Sequence, residues 1–232
     1  MSEGSGRSQR ALLLCGAGRY ADPWHPFDVT AGRLAELLCD EGLTVEVTGE
    51  VDDRMAALAD SDDVDLLVLD IGDPALAGRL DPEADERGRT GLLAYLRRGR
   101  PLLAMHVSST SLRGVPEWEE ILGAVWVRGR SFHPEYGEGR VLVHGDRHEV
   151  ATGLSDFDVV DELYTELRVR PDVVPVATHL HDGREHPLIW PRTFGDARVV
   201  YDALGHDAAS FDAPVHREIL SRSVRWLLDR PR

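Results

Sequence analysis

Short apolar runs alternate with longer amphipathic segments along the first half of the chain. Runs at residues 11–14, 44–47, 64–69 and 101–104 predict β-strands. The first, third and fourth runs are almost continuously apolar, which is typical of strands covered on both faces. Between them, apolar residues recur at helical spacing within residues 34–38, 55–58 and 92–96. This alternation predicts a parallel, flavodoxin-like α/β sheet with right-handed crossovers and a ligand crevice beyond the carboxyl ends of its strands.

The pattern changes after residue 122, where the runs become shorter and turn signals such as His181-Asp-Gly-Arg184 separate them. Runs at 173–178, 187–190 and 198–204 predict an antiparallel extension, and an apolar stripe within 215–228 predicts a closing helix. The charged segment 73–89 predicts a surface loop, for which a plain solvated loop is preferred to a partly disordered one. The expected fold is a three-layer α/β sandwich with a mostly parallel sheet, forming a single domain at residues 10–230 after a disordered polar tail at 1–9.

Composition narrows the classes of function. The 232 residues, 42% of them hydrophobic, can bury a sizeable core. A net charge of −15 disfavours binding to nucleic acid and to anionic membrane surfaces, and favours a neutral or cationic small ligand. The apolar run at 11–15 is too short for a signal peptide or a membrane span, so a cytoplasmic location is expected. Cys15 and Cys39 are expected to be buried small hydrophobic residues without a disulfide.

The strand at residues 101–104 runs directly into His106. Small residues, Ala104 and Ser108, lie two positions before and after this histidine, as they do around the tip of a nucleophile elbow. A serine or cysteine at the tip would indicate acyl transfer. Imidazole indicates proton transfer, metal ligation or polarisation of a substrate instead.

Six segments, of which the elbow strand is the first, follow one another in a recognisable order. They are Pro101-Leu-Leu-Ala-Met-His106, Trp118-Glu-Glu-Ile-Leu-Gly-Ala124, Phe132-His-Pro134, Asp161-Glu-Leu-Tyr164, Pro187-Leu-Ile-Trp190 and Arg198-Val-Val-Tyr-Asp-Ala-Leu-Gly-His206. In this order the chain resembles ThuA-like (trehalose utilisation) proteins, from about residue 10 to residue 228. That family is similar in fold to class I glutamine amidotransferases. The resemblance places His106 where those enzymes have their nucleophilic cysteine and His206 where they have their triad histidine, so no glutaminase activity is expected.

The resemblance implies a small sugar as the ligand, such as a 3-keto-glucoside made by a partner sugar dehydrogenase. The predicted catalytic residues are His106, His206, Glu162 and Asp161, because imidazoles and carboxylates together form a general acid–base set. A keto group acidifies the neighbouring C–H bond, so isomerisation, epimerisation or elimination at that carbon is the expected chemistry. A non-catalytic amidotransferase-like module that binds a ligand or a partner stays open as an alternative.

Further residues are predicted to contact the substrate: Trp24, His25, Ser108, His133, His148, Tyr164 and Trp190. Trp24 and His25 follow the first strand, where doubly wound folds place their ligand loops. The aromatic residues suit a sugar face but equally suit the core. Ser108 either caps the turn after the elbow or donates to the substrate, and His148 either lines the cleft or bonds a turn of backbone.

The same catalytic set also suits a metal. Two histidines and a carboxylate, His106, His206 and Glu162, are credible ligands for zinc or iron, which would permit a metal-dependent hydrolase. The three residues lie far apart in the sequence and form no compact metal motif. The sequence leaves both the metal and a homo-oligomer open.

Overall fold

The computed structural model describes residues 8–76 and 78–229, and its centre is a nine-stranded sheet. The strands are β1 Arg10–Cys15, β2 Thr44–Thr48, β3 Leu66–Asp70, β4 Leu102–Met105, β5 Ala124–Val125, β6 Gly137–Val143, β7 Phe157–Asp161, β8 Arg168–Val169, β9 Ala177–His181, β10 Arg184–Phe194 and β11 Ala197–Asp202. The helices are α1 Phe27–Asp40, α2 Val51–Ala57, α3 Pro82–Arg97, α4 Trp118–Leu122 and α5 Pro214–Leu227. Within the described residues, no helix combines the length and the apolar character needed to cross a bilayer.

The large sheet has the order β2-β1-β3-β4-β11-β10-β9-β6-β7. Its first five strands run parallel in the flavodoxin-like order, and the remaining four extend it with antiparallel pairs. The predicted fold class is therefore confirmed. The prediction for residues 198–204 needs one correction, because β11 pairs parallel with β4 and only its other edge pairs antiparallel with β10.

Alternate residues of the parallel strands face two separate apolar layers. Leu12 and Leu14 of β1 pack into the layer that includes α2, α3 and α4, whereas Ala11 and Leu13 pack into the layer of α1 and α5. Both layers are closed to solvent, which is why these strands read as continuous apolar runs in the sequence. The three-layer arrangement leaves the carboxyl ends of β1, β3, β4 and β11 together at one edge of the sheet.

Residues 82–89 were predicted to be loop but form the first half of α3. The helix begins with Pro82 in its first turn and with Asp81 as a cap, whose side chain accepts from the amide of Ala84. The small residue Gly91 then lets α3 approach α2 so closely that a Cβ there would meet the carbonyl of Met55. The charged residues and glycines of this segment suggested a loop. In the structure they belong to a capped helix, with charged residues on its exposed face and Gly88 and Gly91 on its buried face.

Other predictions in the second half also shift. The strand predicted at 173–178 is β9, Ala177–His181, and β6 and β7 were not predicted.

Both cysteines are free, but Cys15 is half-buried and Cys39 is exposed, so the predicted burial of Cys39 is wrong. Most of the predicted tail, residues 1–7, lies outside the described residues, and so does residue 230 at the end of the predicted domain.

A buried ion pair anchors the segment between β11 and α5. His216 Nε2 lies 2.8 Å from Oδ2 of Asp202, and His216 Nδ1 lies 2.9 Å from the carbonyl oxygen of Ser210. Both side chains of the pair are fully buried. Since a carbonyl oxygen only accepts, Nδ1 carries a proton. Burial opposes a charge on His216, but Asp202 outweighs it and raises the pKa of the imidazole.

Replacing His216 with asparagine should destabilise the fold by about 3–5 kcal/mol near pH 6, because it leaves a buried carboxylate without its partner. The folded-state pKa of His216 is raised above its unfolded value of about 6.5. The proton-linked stabilisation is therefore complete below about pH 6.5 and is lost as the pH rises through the folded-state pKa. Urea unfolding of both proteins at pH 6 and pH 9 measures this difference, and an equal difference at both pH values would contradict the assignment.

Candidate functional site

Four ionisable side chains from four separate segments meet at the carboxyl edge of the sheet. His25 comes from the loop after β1, His106 follows β4, Glu162 follows β7 and His206 follows β11. One potential ligand atom from each residue lies within 4.8 Å of those from all the others. We call these four residues the histidine–glutamate cluster.

His106 occupies the predicted elbow. Its φ of +33° lies in the left-handed region, which is uncommon for a residue other than glycine, and the chain turns there from β4 into the 3₁₀ turn His106–Thr110. The ring is buried, and Nδ1 donates to the carbonyl oxygen of Ala203 at 2.7 Å. Because the proton of the neutral ring is used there, the lone pair of Nε2 is directed into the cluster.

His25 is oriented in the same way by Asp22. The Asp22 carboxylate accepts from Nδ1 of His25 at 2.8 Å and from the backbone amides of Trp24 and His25 at 3.0 Å. Burial lowers the pKa of His25, with Asp22 partly opposing that effect, so the neutral ring presents the lone pair of Nε2. Burial would raise the pKa of Asp22, but the hydrogen bond from His25 holds it below its usual range.

Asp161 holds the segments of Glu162 and His206 together. Its carboxylate accepts from the backbone amides of Glu162 at 2.7 Å, Gly205 at 2.8 Å and His206 at 3.3 Å. Gly205 has a φ of +108°, a conformation that favours glycine and that aims the chain at this carboxylate. Asp161 was predicted to be catalytic, but it is buried and its oxygens are occupied by backbone donors, so the structure gives it a positioning role.

Glu162 lies between the imidazoles. Its Oε2 is 3.2 Å from Nδ1 of His206 and 3.7 Å from Nε2 of His106. Burial opposes ionisation of Glu162, but these two imidazoles hold its pKa far below the usual range of a glutamate. Burial likewise opposes a charge on His106, yet Glu162 and Asp161 raise its pKa. The carboxylate is therefore negative, and cations are favoured beside it.

Three buried ring nitrogens of the cluster make no well-aligned hydrogen bond among the described residues, although two of them lie near the Glu162 carboxylate: Nε2 of His25, Nε2 of His106 and Nδ1 of His206. Buried polar atoms are rarely left without a partner, so each of the three needs an explanation. Ligands of a tetrahedral zinc ion lie about 3.4 Å apart. The cluster needs only small movements to reach that spacing. His25 and His106 also donate their other ring N–H to a carboxylate and a carbonyl, as metal-binding histidines commonly do. The residues present therefore fit a divalent cation.

Asp22→Asn should weaken binding of a divalent cation by about 10- to 100-fold while the protein stays folded, because it removes the carboxylate that orients His25. Competition with a chromophoric chelator measures the affinity, and thermal unfolding checks the fold. Asp28→Asn, at an exposed position of the next helix, is the matched control and should change nothing. Equal affinities in the two variants would exclude the orienting role of Asp22.

A cavity of about 560 Å³ opens onto the cluster. Such a volume suits a small-molecule ligand. Thirteen residues line it: Trp24, His25, Asp73, Leu76, Val107, Thr110, Arg113, Trp126, Arg128, Gly129, His133, Glu162 and Tyr164. Four residues predicted to contact substrate are thus in the wall, namely Trp24, His25, His133 and Tyr164. Their roles toward a substrate stay predictions.

Three other residues predicted to contact substrate lie elsewhere. Ser108 is fully buried, and its hydroxyl donates to the carbonyl oxygen of Leu69 at 2.9 Å. Trp190 is fully buried in the core, where its indole N–H donates to the carbonyl oxygen of Leu122 at 2.8 Å. His148 accepts from the amide of Val150 and caps a 3₁₀ turn, with its ring packed against Trp226. None of these three side chains is among the residues that line the cavity.

Several residues of the site, or their roles in it, were not predicted from the sequence. Asp22 carried a usable signal, since an aspartate followed by proline commonly opens a turn whose amides it accepts. His25 was placed in the cleft wall but not among the metal ligands, because nothing in its spacing gave its distance from His106. Asp73, Arg113 and Arg128 had no signal, since isolated charges in loops are common on any surface.

The chain is similar to a known protein family and to several solved structures. The family model ThuA, described as trehalose utilisation, matches residues 21–227. A ThuA-like protein from Parabacteroides merdae ATCC 43184 superposes with a TM-score of 0.75 at 21% identity, covering 96% of this chain and 90% of that chain. A ThuA-like protein from Bacteroides uniformis ATCC 8492 gives 0.74 at 15% identity, covering 98% and 94%.

A glutamine amidotransferase from Thermotoga maritima also superposes, with a TM-score of 0.56 at 10% identity, covering 97% of this chain and 100% of that chain. At these identities the solved structures show the fold alone. They confirm the predicted likeness to class I glutamine amidotransferases. Among curated protein sequences, none matches this chain.

Proposed function

The chain belongs to the ThuA family, and we propose that it is a divalent-metal-dependent enzyme that moves a proton beside the carbonyl group of a small keto-sugar. The observation that carries the proposal is the convergence of three inward-facing ring nitrogens on one carboxylate at the floor of a cavity. The family description, trehalose utilisation, supports a sugar as the substrate class. A sugar dehydrogenase is the class of enzyme that would supply the keto group.

The proposed ligands are His25, His106, His206 and Glu162. Three imidazoles and a carboxylate suit zinc or iron. A cation bound there would act as a Lewis acid on a substrate carbonyl and so acidify the adjacent C–H bond. The negative charge of Glu162 and the neutral ring of His25 both suit a bound cation.

His133 supplies a group for proton transfer at the cavity wall. Its Nδ1 lies 2.8 Å from the carbonyl oxygen of Pro134, which only accepts, so the neutral ring has its lone pair on Nε2. That Nε2 lies 3.5 Å from Oε1 of Glu162. Beside the cluster, Nε2 of His133 takes a proton from the substrate carbon and returns that proton at a neighbouring atom, while the carboxylate of Glu162 stabilises the imidazolium formed in between.

Tyr164 packs against His106 in the cavity wall. Its ring centroid lies 4.3 Å from that of His106. Burial raises the pKa of Tyr164 well above its usual value, and the nearby negative charges raise it further, so the phenol stays neutral. A neutral phenol in the wall suits a polyhydroxylated ligand, because it adds an apolar ring without a charge.

Acyl transfer from glutamine requires a thiolate nucleophile that the site lacks. Imidazole occupies the elbow, and neither Cys15 nor Cys39 is among the residues that line the cavity. The architecture of an amidotransferase is therefore joined to a different set of reactive groups. This supports acid–base chemistry over a glutaminase.

Deuterium exchange tests the proposal without presuming a product. Metal-loaded protein is mixed with 3-keto-glucose or 3-keto-trehalose in heavy water, and NMR follows deuterium uptake beside the carbonyl. We expect uptake faster than in buffer, abolished by chelator and restored when the metal is returned. Isomerisation, epimerisation and elimination are then told apart by the products.

Uptake that persists at full rate after the metal is removed would reject the metal-dependent mechanism. Uptake no faster than in buffer, with metal bound, would reject proton transfer on these sugars and favour a module that binds a ligand without turnover. Thermal stabilisation by the sugar without any product would identify such a module.

A further inference from the structure

Two arginines in the cavity wall share one buried carboxylate. Arg113 Nε lies 2.7 Å from Oδ2 of Asp73, and Arg128 Nη2 lies 2.8 Å from the same oxygen. The Asp73 side chain is only 1% exposed, and its Oδ1 accepts from the amide of Ala75 at 2.9 Å. The carboxylate thus holds two guanidinium groups in fixed positions. We call Arg113 and Arg128 the arginine pair.

The two guanidinium groups of the arginine pair carry more hydrogen-bond donors and more positive charge than the Asp73 carboxylate pairs with. Arg113 also donates from Nε to the carbonyl oxygen of Thr110 at 3.2 Å. Within the described part of the chain, both Nη atoms of Arg113 and the Nε and Nη1 atoms of Arg128 have no hydrogen-bond partner. Two positive charges face one negative charge, which leaves one net positive charge. The side chains are 37% and 48% exposed, so these donors are accessible from the cavity.

The same cavity contains His25 and Glu162 of the histidine–glutamate cluster. Aromatic side chains, Trp24, Trp126 and Tyr164, form much of the wall beside both groups. A ligand in this space therefore meets a reactive centre, apolar ring surfaces and unsatisfied guanidinium donors. Guanidinium groups bind carboxylates and phosphates through paired, charge-assisted hydrogen bonds.

We propose that the sugar substrate carries an anionic group, a carboxylate or a phosphate, which the arginine pair binds while the carbonyl end reaches the histidine–glutamate cluster. This inference rests on the proposed function and specifies its substrate class. The net charge of −15 favoured a neutral or cationic ligand. The net positive charge of the arginine pair with Asp73 favours an anionic group at that end of the cavity, and a ligand responds to the local field of the groups that it contacts.

Calorimetric titration with three matched probes tests the proposal: D-glucose, D-glucuronate and D-glucose 6-phosphate. Metal-loaded protein should bind at least one anionic sugar about tenfold more tightly than glucose, a difference of about 1.4 kcal/mol, because its anionic group gains charge-assisted hydrogen bonds. A preference for glucuronate identifies a carboxylate, and a preference for glucose 6-phosphate identifies a phosphate. Equal affinities for all three probes would overturn the proposal.

Variants locate the preference. Arg113→Gln and Arg128→Gln should each weaken binding of the preferred anionic sugar about tenfold and leave glucose binding unchanged. Arg130→Gln is the matched control, because Arg130 follows on the same loop but pairs with Glu166 and is not among the residues lining the cavity. A loss shared by glucose and the anionic sugar, or a loss in Arg130→Gln as large as that in Arg128→Gln, would contradict an anion subsite at the pair.

The metal content of the same samples separates this inference from the proposed function. Bound metal without any preference for an anionic sugar overturns the arginine pair as an anion subsite but leaves the metal-dependent enzyme standing. A preference for an anionic sugar in protein that binds no metal supports the subsite and rejects the metal-dependent reaction. Thermal unfolding of each variant confirms that lost binding does not reflect an unfolded protein.

Discussion

His106→Asn should lower the affinity for a divalent cation by at least about a hundredfold, more than the loss expected from an orienting residue. It should also reduce deuterium exchange of keto-sugars to the rate of chelator-treated protein. The variant removes the Nε2 lone pair at the centre of the cluster, which no group in the described part of the chain satisfies with a hydrogen bond. Asparagine is preferred to alanine because it tolerates the left-handed backbone at this elbow.

His181→Gln is the matched control for that experiment, since His181 is a partly exposed histidine that is not among the residues lining the cavity. It should bind metal and exchange deuterium like the wild type. Thermal unfolding shows whether both variants fold. Undiminished metal binding by folded His106→Asn would exclude His106 as a ligand, and undiminished exchange would exclude it from the reaction.

Glu162→Gln should lower kcat for exchange by at least about a thousandfold, with a much smaller change in KM. The amide keeps the shape of the side chain but removes its negative charge and its basicity. In the wild type, one oxygen faces His106 and His206 and the other faces His133, so the carboxylate joins the proposed ligands to the proposed proton carrier. Single-turnover rates and metal titrations, compared with the wild type, separate a lost proton transfer from a lost metal.

Glu166→Gln is the control for this variant, because Glu166 follows shortly after in the chain but pairs with Arg130 and Arg184 outside the cavity. Its kcat and metal affinity should match those of the wild type. A kcat for Glu162→Gln within tenfold of the wild type would show that the proton transfer does not need the negative charge of Glu162. A loss that excess metal restores in full would assign Glu162 to metal binding alone.

Periodicity was enough to predict the parallel half of the fold. The strands β1, β3 and β4 are buried on both faces, so their apolar runs are continuous and their type is clear from local sequence. The elbow was also readable, because a sharp reversal at His106 restricts its neighbours to small residues. Both signals are local, and each depends on fewer than about ten consecutive residues.

The antiparallel strands and several site residues depend on long-range contacts, so they could not be predicted from local sequence. The strands β6 and β7 lie at one end of the sheet and are only partly buried, the β6 segment is rich in glycine and charged residues, and the pairing of both strands depends on distant partners. Trp190 fits the core and a sugar face equally well by sequence, and only its contact with Leu122 decides between them. In the same way, His25 joins the cluster through a loop whose course Asp22 determines.

Anomalous diffraction from crystals grown with Zn²⁺, and separately with Fe²⁺ under anaerobic conditions, would test the histidine–glutamate cluster most directly. Data collected on both sides of the absorption edge of each metal assign the peaks. We expect one strong peak per chain, about 2.0–2.2 Å from Nε2 of His25, Nε2 of His106, Nδ1 of His206 and an oxygen of Glu162. No peak among these four side chains at a saturating concentration of either metal would rule out a metal site at the histidine–glutamate cluster.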